Sequence, residues 1–135
     1  MSVLIHSDFL VAISIDNHPA QFIARSAMEE RQYERLFTTQ GMISQFLCQV
    51  AGEGPQERGK AVNTAQALYL RSGLVQRTEF AQFTNALDAY RNEFRDSTLT
   101  LEDVIAVLLM RESDSTDILS ANTEFRRYGL RPLMA

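Results

Sequence analysis

Apolar residues run without a break from Val104 to Met110, and the polar residues on either side indicate how this run folds. Thr100 is a good helix N-cap, and Asp103 three positions later completes an acidic variant of the capping box. Acidic side chains in the first turn and an arginine in the last turn suit the helix dipole. The segment 100–111 is therefore predicted to be a helix that is apolar on nearly every side and is surrounded by the rest of the chain.

Helical spacing of apolar positions recurs through most of the remaining sequence. It predicts further helices over about 20–38, 42–50, 56–72, 78–94 and 116–128. The most regular stripe has intervals of three, four, three and four and predicts a surface facing the core, with a seam for self-association as the alternative. That stripe consists of Phe80, Phe83, Leu87, Tyr90 and Phe94. No Asn-Gly or Asp-Gly turn joins two alternating runs, so no hairpin is indicated.

The first sixteen residues fit two patterns. Their apolar residues fall on odd positions, as in a half-buried strand, but they also fit one helix face with Ser7 as a cap. A lone strand would need a partner outside the chain, so a helix is favoured. We therefore predict an all-α protein: one domain, 1–135, built as a compact bundle of five to seven helices around the helix near residues 100–111. The apolarity of residues 3–15 predicts packing against a second copy or another protein.

Composition and charge narrow the class of protein. A chain of 135 residues suits one domain with a sizeable core. Its net charge of −4 argues against broad binding to nucleic acid or to an anionic membrane. The single cysteine, Cys48, allows no internal disulfide, and no apolar stretch reaches the roughly 18–20 residues that span a bilayer. These features predict a soluble, cytoplasmic protein.

Residues 54–61 match the spacing of a phosphate-binding P-loop except at their last position. A P-loop needs Ser or Thr where this chain has Ala61, because that hydroxyl holds magnesium. It also needs a preceding strand, whereas the segment before Gly54 has a helical pattern. A helix–loop–helix connector with a solvated Lys60 is the favoured interpretation.

A second candidate site combines two histidines and two aspartates within thirteen residues. His6, Asp8, Asp16 and His18 are residue types that bind zinc or another divalent ion. Their spacing is not that of a known zinc finger, and the segment is predicted to be helical. Two surface or capping histidines are therefore favoured, and no metal or other cofactor is predicted.

No set of nucleophile, base and orienting group is apparent. Cys48 lies beside apolar neighbours on a predicted helix, so a buried, inert thiol is favoured. Glu102 and Asp103 are adjacent on a helix and point in different directions, and the start of that helix explains both. The sequence therefore predicts a protein that is not an enzyme.

The C-terminal stretch 125–135 is basic and aromatic, and it ends in apolar residues. It could contact nucleic acid, dock on a protein partner, or fold back on its own core. The residues predicted to bind a partner are Arg126, Arg127, Tyr128, Arg131, Leu133 and Met134.

These observations together predict a small non-enzymatic α-helical interaction module, such as an adaptor, chaperone-like protein, inhibitor or assembly subunit. Its partner would be another protein or a second copy of the chain. The alternative is a helical subunit that contacts nucleic acid within a larger complex through its basic C-terminal end.

Overall fold

The computed structural model describes residues 2–135 and has an α/β fold, so the prediction of an all-α bundle is wrong. Five short strands form one parallel sheet in the order β3-β2-β1-β4-β5. Met1, the first residue of the ambiguous segment 1–16, lies outside the described residues. The strands are β1 (Ser2–Ile5), β2 (Arg35–Thr39), β3 (Val75–Gln76), β4 (Asp117–Leu119) and β5 (Arg131–Pro132).

Helices cover both faces of the sheet and connect its strands. Two short 3-10 segments, Ala51–Glu53 and Thr123–Tyr128, complete the regular structure. Within residues 2–135, no helix combines the length and apolarity needed to cross a bilayer. The helices are α1 (Ser7–Ser14), α2 (Gln21–Glu30), α3 (Gln40–Gln49), α4 (Pro55–Leu70), α5 (Phe80–Arg91) and α6 (Leu101–Glu112).

Strand β1 lies at the centre of the sheet and is buried on both faces. Val3 and Ile5 belong to one core cluster, with residues of α1–α4, whereas Leu4 belongs to the other, with residues of α6. Consecutive apolar residues are typical of a parallel strand covered on both sides. The apolarity of residues 3–15, which predicted packing against a second copy or partner, is therefore accounted for by burial within the chain.

Strands replace parts of two predicted helices. The helix predicted over 20–38 stops at Glu30, and its last residues form β2 beside β1. The helix predicted over 116–128 is instead β4 followed by a 3-10 segment. In both cases pairing with a distant strand outweighs a local helical pattern. The helix predicted over 100–111 is present as α6, with the capping box between Thr100 and Asp103.

The aromatic stripe of α5 does not face the core. Phe80 is 83% exposed, and Phe83, Leu87 and Tyr90 are also exposed, whereas Phe94, beyond the helix end, is 2% exposed. The buried side chain of α5 is Ala86, which packs in the same core cluster as α6. The prediction of a core-facing stripe is therefore wrong for four of its five residues, because small residues make the close helix contact.

Candidate functional site

The order of the strands reverses between β1 and β4. From the central β1 the chain builds outward through β2 and β3, and it then returns to place β4 and β5 on the other side. In open α/β sheets, ligands bind outside the carboxyl ends of the strands at such a point. The helices α1 and α3 begin directly after β1 and β2, so their positive ends also lie at this edge.

A buried histidine lies at the carboxyl end of β1, between two carboxylates. His6 Nε2 is 2.6 Å from Asp103 Oδ1, and His6 Nδ1 is 3.0 Å from Asp8 Oδ1. Asp8 is in the first turn of α1, and Asp103 is in the first turn of α6. We call these three residues the His6 cluster. It joins the start of two helices to the centre of the sheet.

The remaining oxygens of both carboxylates accept hydrogen bonds from neighbouring groups. Asp8 Oδ2 accepts one from the Ser120 hydroxyl at 2.7 Å and one from the Ala121 amide at 3.0 Å. Asp103 Oδ2 accepts one from the Thr100 amide at 3.0 Å. Three of the four carboxylate oxygens in the His6 cluster therefore accept hydrogen bonds, and the fourth, Asp8 Oδ1, has no hydrogen bond and lies 3.0 Å from His6 Nδ1.

The contacts of Nδ1 favour this protonated form. The backbone nitrogen of Asp8 is 3.1 Å from Nδ1 and could donate to it if the ring were neutral. A ring without a proton on Nδ1 would place a lone pair 3.0 Å from Asp8 Oδ1, and a ring without a proton on Nε2 would place one 2.6 Å from Asp103 Oδ1. A doubly protonated ring directs a positive N–H group towards each carboxylate and makes a short, charge-assisted bond to Asp103. We therefore describe His6 as an imidazolium.

The electrostatics of the cluster support this assignment. Burial alone would lower the pKa of His6, but hydrogen bonds to Asp103 and Asp8, with their negative charges, raise this pKa to about 9. Burial would raise the pKa of Asp8, but the hydrogen bond and charge of His6 outweigh burial and hold that pKa below its ordinary value. Each ionised group in the cluster thus stabilises the other.

An open cavity of about 270 Å³ lies at the start of α6, where Glu102 is the neighbour in sequence of Asp103. Glu102 enters it, and burial together with the neighbouring charge of Asp103 raises the pKa of the Glu102 carboxyl. Its buried Oε2 has no hydrogen-bond partner in the protein. The carboxyl lies against Gly41, where any Cβ would collide with it. The cavity is lined by Gly41, Ser44, Gln45, Cys48, Gln49 and Glu102.

The structure divides the predicted four-residue metal site. His6 and Asp8 lie together, whereas Asp16 binds Lys60 at 2.7 Å and His18 accepts a hydrogen bond from the Ala20 amide. His6 occupies the N-cap position of α1, which agrees with the favoured interpretation as a capping histidine, but its ring can accept the Asp8 N–H only when Nδ1 carries no proton. The sequence did not indicate that His6 would also meet Asp103, a residue 97 positions away.

The structure also places Cys48 and the P-loop-like residues 54–61. Cys48 is exposed and lines the same cavity as Glu102, so the prediction of a buried thiol is wrong. Gly54 precedes α4 and follows a 3-10 segment, not a strand, and Lys60 is held by Asp16 and Glu57. Residues 54–61 therefore share the residue spacing of a P-loop but do not follow a strand as a P-loop does.

The predicted partner-binding residues at the C-terminal end make several internal contacts. Arg131 forms two bonds with the buried Asp117, at 2.8 and 2.9 Å. The ring of Tyr128 packs on Phe94, and Met134 is buried in the core. Arg126 and Arg127 are exposed, and Leu133 is half-buried. Their role in binding a partner stays a prediction.

The sequence analysis missed Asp103, Glu102 and Ser120 as site residues. The acidic pair was attributed to the helix start alone, and the capping contact of Asp103 is indeed present. A usable signal was the polar residue that directly follows each short apolar run, as Ser120 follows β4 and His6 follows β1. Such residues gather at one edge of a parallel sheet.

Comparisons with known proteins give a structural relative. No protein-family model matches the chain, and no curated protein sequence matches it. The fold is similar to the crystal structure of VapC20 from Mycobacterium tuberculosis, described as a sarcin-ricin loop cleaving toxin. The TM-score is 0.83 at 12% sequence identity, over 96% of each chain. The protein therefore has a PIN-domain-like fold.

This likeness corrects the functional prediction as well as the fold. A non-enzymatic helical adaptor was expected because the sequence has no competent catalytic set, cofactor motif or general basic surface, whereas apolar residues are available at both termini. The fold is instead similar to that of a protein described as a sarcin-ricin loop cleaving toxin, and this finding contradicts the predictions of an interaction module and of a protein that is not an enzyme.

Nucleases often use pairs of divalent metal ions held by carboxylates. The His6 cluster does not fit such a site, because three of its four carboxylate oxygens already accept hydrogen bonds and the His6 ring lies between the two carboxylates. Across residues 2–135, no three His, Cys, Asp or Glu side chains are arranged to hold a metal ion.

Proposed function

We propose that the protein is a ribonuclease of the toxin class, acting on structured RNA at the carboxyl ends of its strands. The observation that carries this proposal is the buried charged cluster at the reversal point between β1 and β4, where α/β sheets bind ligands. Similarity to a sarcin-ricin loop cleaving toxin over nearly the whole chain supports the choice of RNA as the substrate.

Glu102 is the residue to which we assign proton transfer. Its raised pKa allows the carboxyl to hold a proton at higher pH than an ordinary glutamate, so that it can both donate and accept a proton. Glu102 lines an open cavity, and its buried Oε2 has no hydrogen-bond partner in the protein, so we expect this carboxyl to meet an RNA hydroxyl or phosphate that enters the cavity. A perturbed acid in a cleft is a recognised feature of active sites.

The His6 cluster has a positioning role. His6 and Asp103 have side chains that are only 8% and 6% exposed, so RNA reaches them little. Asp103 fixes the first turn of α6 through Thr100 and thereby fixes the neighbouring Glu102. Asp8 has a side chain that is 31% exposed and is the member of the cluster that solvent reaches most.

Cleavage of a synthetic sarcin-ricin loop hairpin and of intact ribosomes tests the proposal, with cut sites mapped by primer extension. We expect a discrete cut by the unaltered protein and a rate about 10²–10⁴-fold lower for Glu102→Gln. Glu112→Gln is the matched control, because Glu112 is exposed at the opposite end of the same helix. Absence of cleavage in any RNA would refute the proposed function, and equal rates for Glu102→Gln and the control would refute the role of Glu102.

The apolar face of α5 is our proposed location for a protein partner or a second copy. Four large apolar residues are exposed there, and contiguous exposed apolar surface commonly marks an interface. Light scattering of the unaltered chain and of Phe83→Ser tests the second-copy form. A dimer that becomes a monomer on substitution would support it, and a dimer unaffected by the substitution would contradict it.

A further inference from the structure

We propose that the His6 imidazolium is the resident cation of this site and takes the place of a divalent metal, so that the site binds no metal and works without one. The statement that the site works without a metal refers to RNA cleavage, and only this statement rests on the proposed function. Its structural part concerns metal binding by the protein alone, and its experiment is therefore carried out without RNA.

The first argument is the position of the ring. Its two nitrogens lie 2.6 and 3.0 Å from oxygens of two different carboxylates, so the ring bridges them as a shared cation would. The two carboxylates come from different helices, and without a positive charge between them they would repel each other in a region of low dielectric constant. The imidazolium removes that repulsion.

The second argument is that the ring is held by the fold. The backbone N–H of His6 donates to the Leu119 carbonyl across the sheet at 3.2 Å. The ring of Phe125 meets the imidazole edge to face, with centroids 5.5 Å apart. The side chain is 8% exposed. A metal ion that bridged the two carboxylates would need to displace this enclosed ring, because the Asp103 side chain is only 6% exposed.

The third argument is the balance of charge and donors. The ionised groups in contact with His6 are Asp8 on α1 and Asp103 on α6, and the hydroxyl of Ser7 is 3.5 Å from Nδ1. Three of the four carboxylate oxygens already accept hydrogen bonds, and the fourth, Asp8 Oδ1, lies 3.0 Å from the ring. An incoming divalent ion would meet an imidazolium of like charge and oxygens that are already hydrogen-bonded. Binding of such an ion is therefore unfavourable as long as His6 is present.

The same geometry implies that replacing the cation with an acid creates a metal site. His6→Asp would place three carboxylates at the ends of β1, α1 and α6, which suits an oxygen-binding ion such as Mn²⁺. The double variant with Asp103→Asn would remove one of these ligands. His18→Asp is the matched control, since the chain has two histidines and His18 lies away from the cluster.

The experiment measures Mn²⁺ binding to the full chain by calorimetry and by loss of the free-ion EPR signal. We expect no saturable binding by the unaltered protein at millimolar Mn²⁺, and binding by His6→Asp that is at least about tenfold tighter than by the double variant or the His18→Asp control. Saturable submillimolar binding by the unaltered protein that Asp103→Asn abolishes would overturn the proposal. So would a folded His6→Asp variant that binds no better than the control.

A second measurement decides the matter if His6→Asp does not fold. The melting temperature of the unaltered protein is recorded with MnCl₂, with MgCl₂ and with EDTA, and we expect the same value in all three. A fall with EDTA, or a rise with Mn²⁺ that Asp103→Asn removes, would overturn the proposal. Failure to cleave RNA would refute the proposed function and leave these binding results unaffected, so the two failures are distinguishable.

Discussion

Raising the pH above neutrality should remove the proton of His6 and destabilise the folded chain. The folded-state pKa of His6 is about 9, above its ordinary value of 6.5. A group whose pKa is raised on folding contributes stability that is fully present below its unfolded pKa and is lost as the pH rises through the folded pKa. The free energy of unfolding should therefore fall between about pH 6.5 and about pH 9.

The size of the effect follows from the two pKa values. The difference between about 9 and 6.5 corresponds to about 3 kcal/mol, and burial of the side chain leaves little screening by solvent. For a chain of this length, such a loss lowers the melting temperature by on the order of 10 °C. Asp8 affects stability at acidic pH. Its pKa is lowered on folding, so its contribution to stability is lost only as the pH falls below the ordinary pKa of an aspartate.

Urea unfolding followed by circular dichroism at a series of pH values measures this dependence. His6→Gln removes the titrating ring, so we expect its stability to be lower near pH 6 and nearly constant up to pH 9. His18→Gln should retain the slope of the unaltered protein. A flat or rising profile in the unaltered protein, or the same falling slope in His6→Gln, would refute the assignment of an imidazolium to His6.

Three further predictions concern the cavity and the core. Gly41→Ala should push the Glu102 carboxyl towards solvent, because the added Cβ would collide with it. NMR titration should then show the pKa of Glu102 nearer its ordinary value, and an unchanged pKa would contradict the contact. Phe94→Ala should cost about 3–5 kcal/mol of unfolding free energy in urea, and Phe80→Ala should change it by less than about 0.5 kcal/mol; equal costs would contradict the assigned burial. The Cys48 thiol should react with a thiol reagent in the folded protein, and reaction only after unfolding would show that it is buried.

The sequence predicted α6 but did not predict the sheet. The capping residues Thr100 and Asp103 are local signals, and they act in the folded chain as the pattern indicated. Parallel strands carry no such signal, because their partners are distant and no hairpin turn connects them. The strands here have two to five residues and were absorbed into neighbouring helical patterns, as Arg35–Thr39 was into the helix predicted over 20–38.

The candidate site was predictable only in parts. His6 and Asp8 were identified as ligand-type residues, and Asp103 as a helix cap, but nothing in their spacing brings them together. That contact depends on β1 lying beside β4 and on α6 starting at the same edge of the sheet. Spacing along the chain therefore grouped His6 and Asp8 with Asp16 and His18, whereas the fold groups them with Asp103.

The protonation state of His6 at slightly alkaline pH is the most direct test of the central claim. Nitrogen-15 NMR of the imidazole ring at about pH 7.5 distinguishes a doubly protonated ring from either neutral tautomer. We expect both Nδ1 and Nε2 of His6 to carry a proton, since the folded-state pKa is about 9, while the ring signals of His18 provide an internal comparison. A neutral His6 ring at this pH would contradict the resident-cation account.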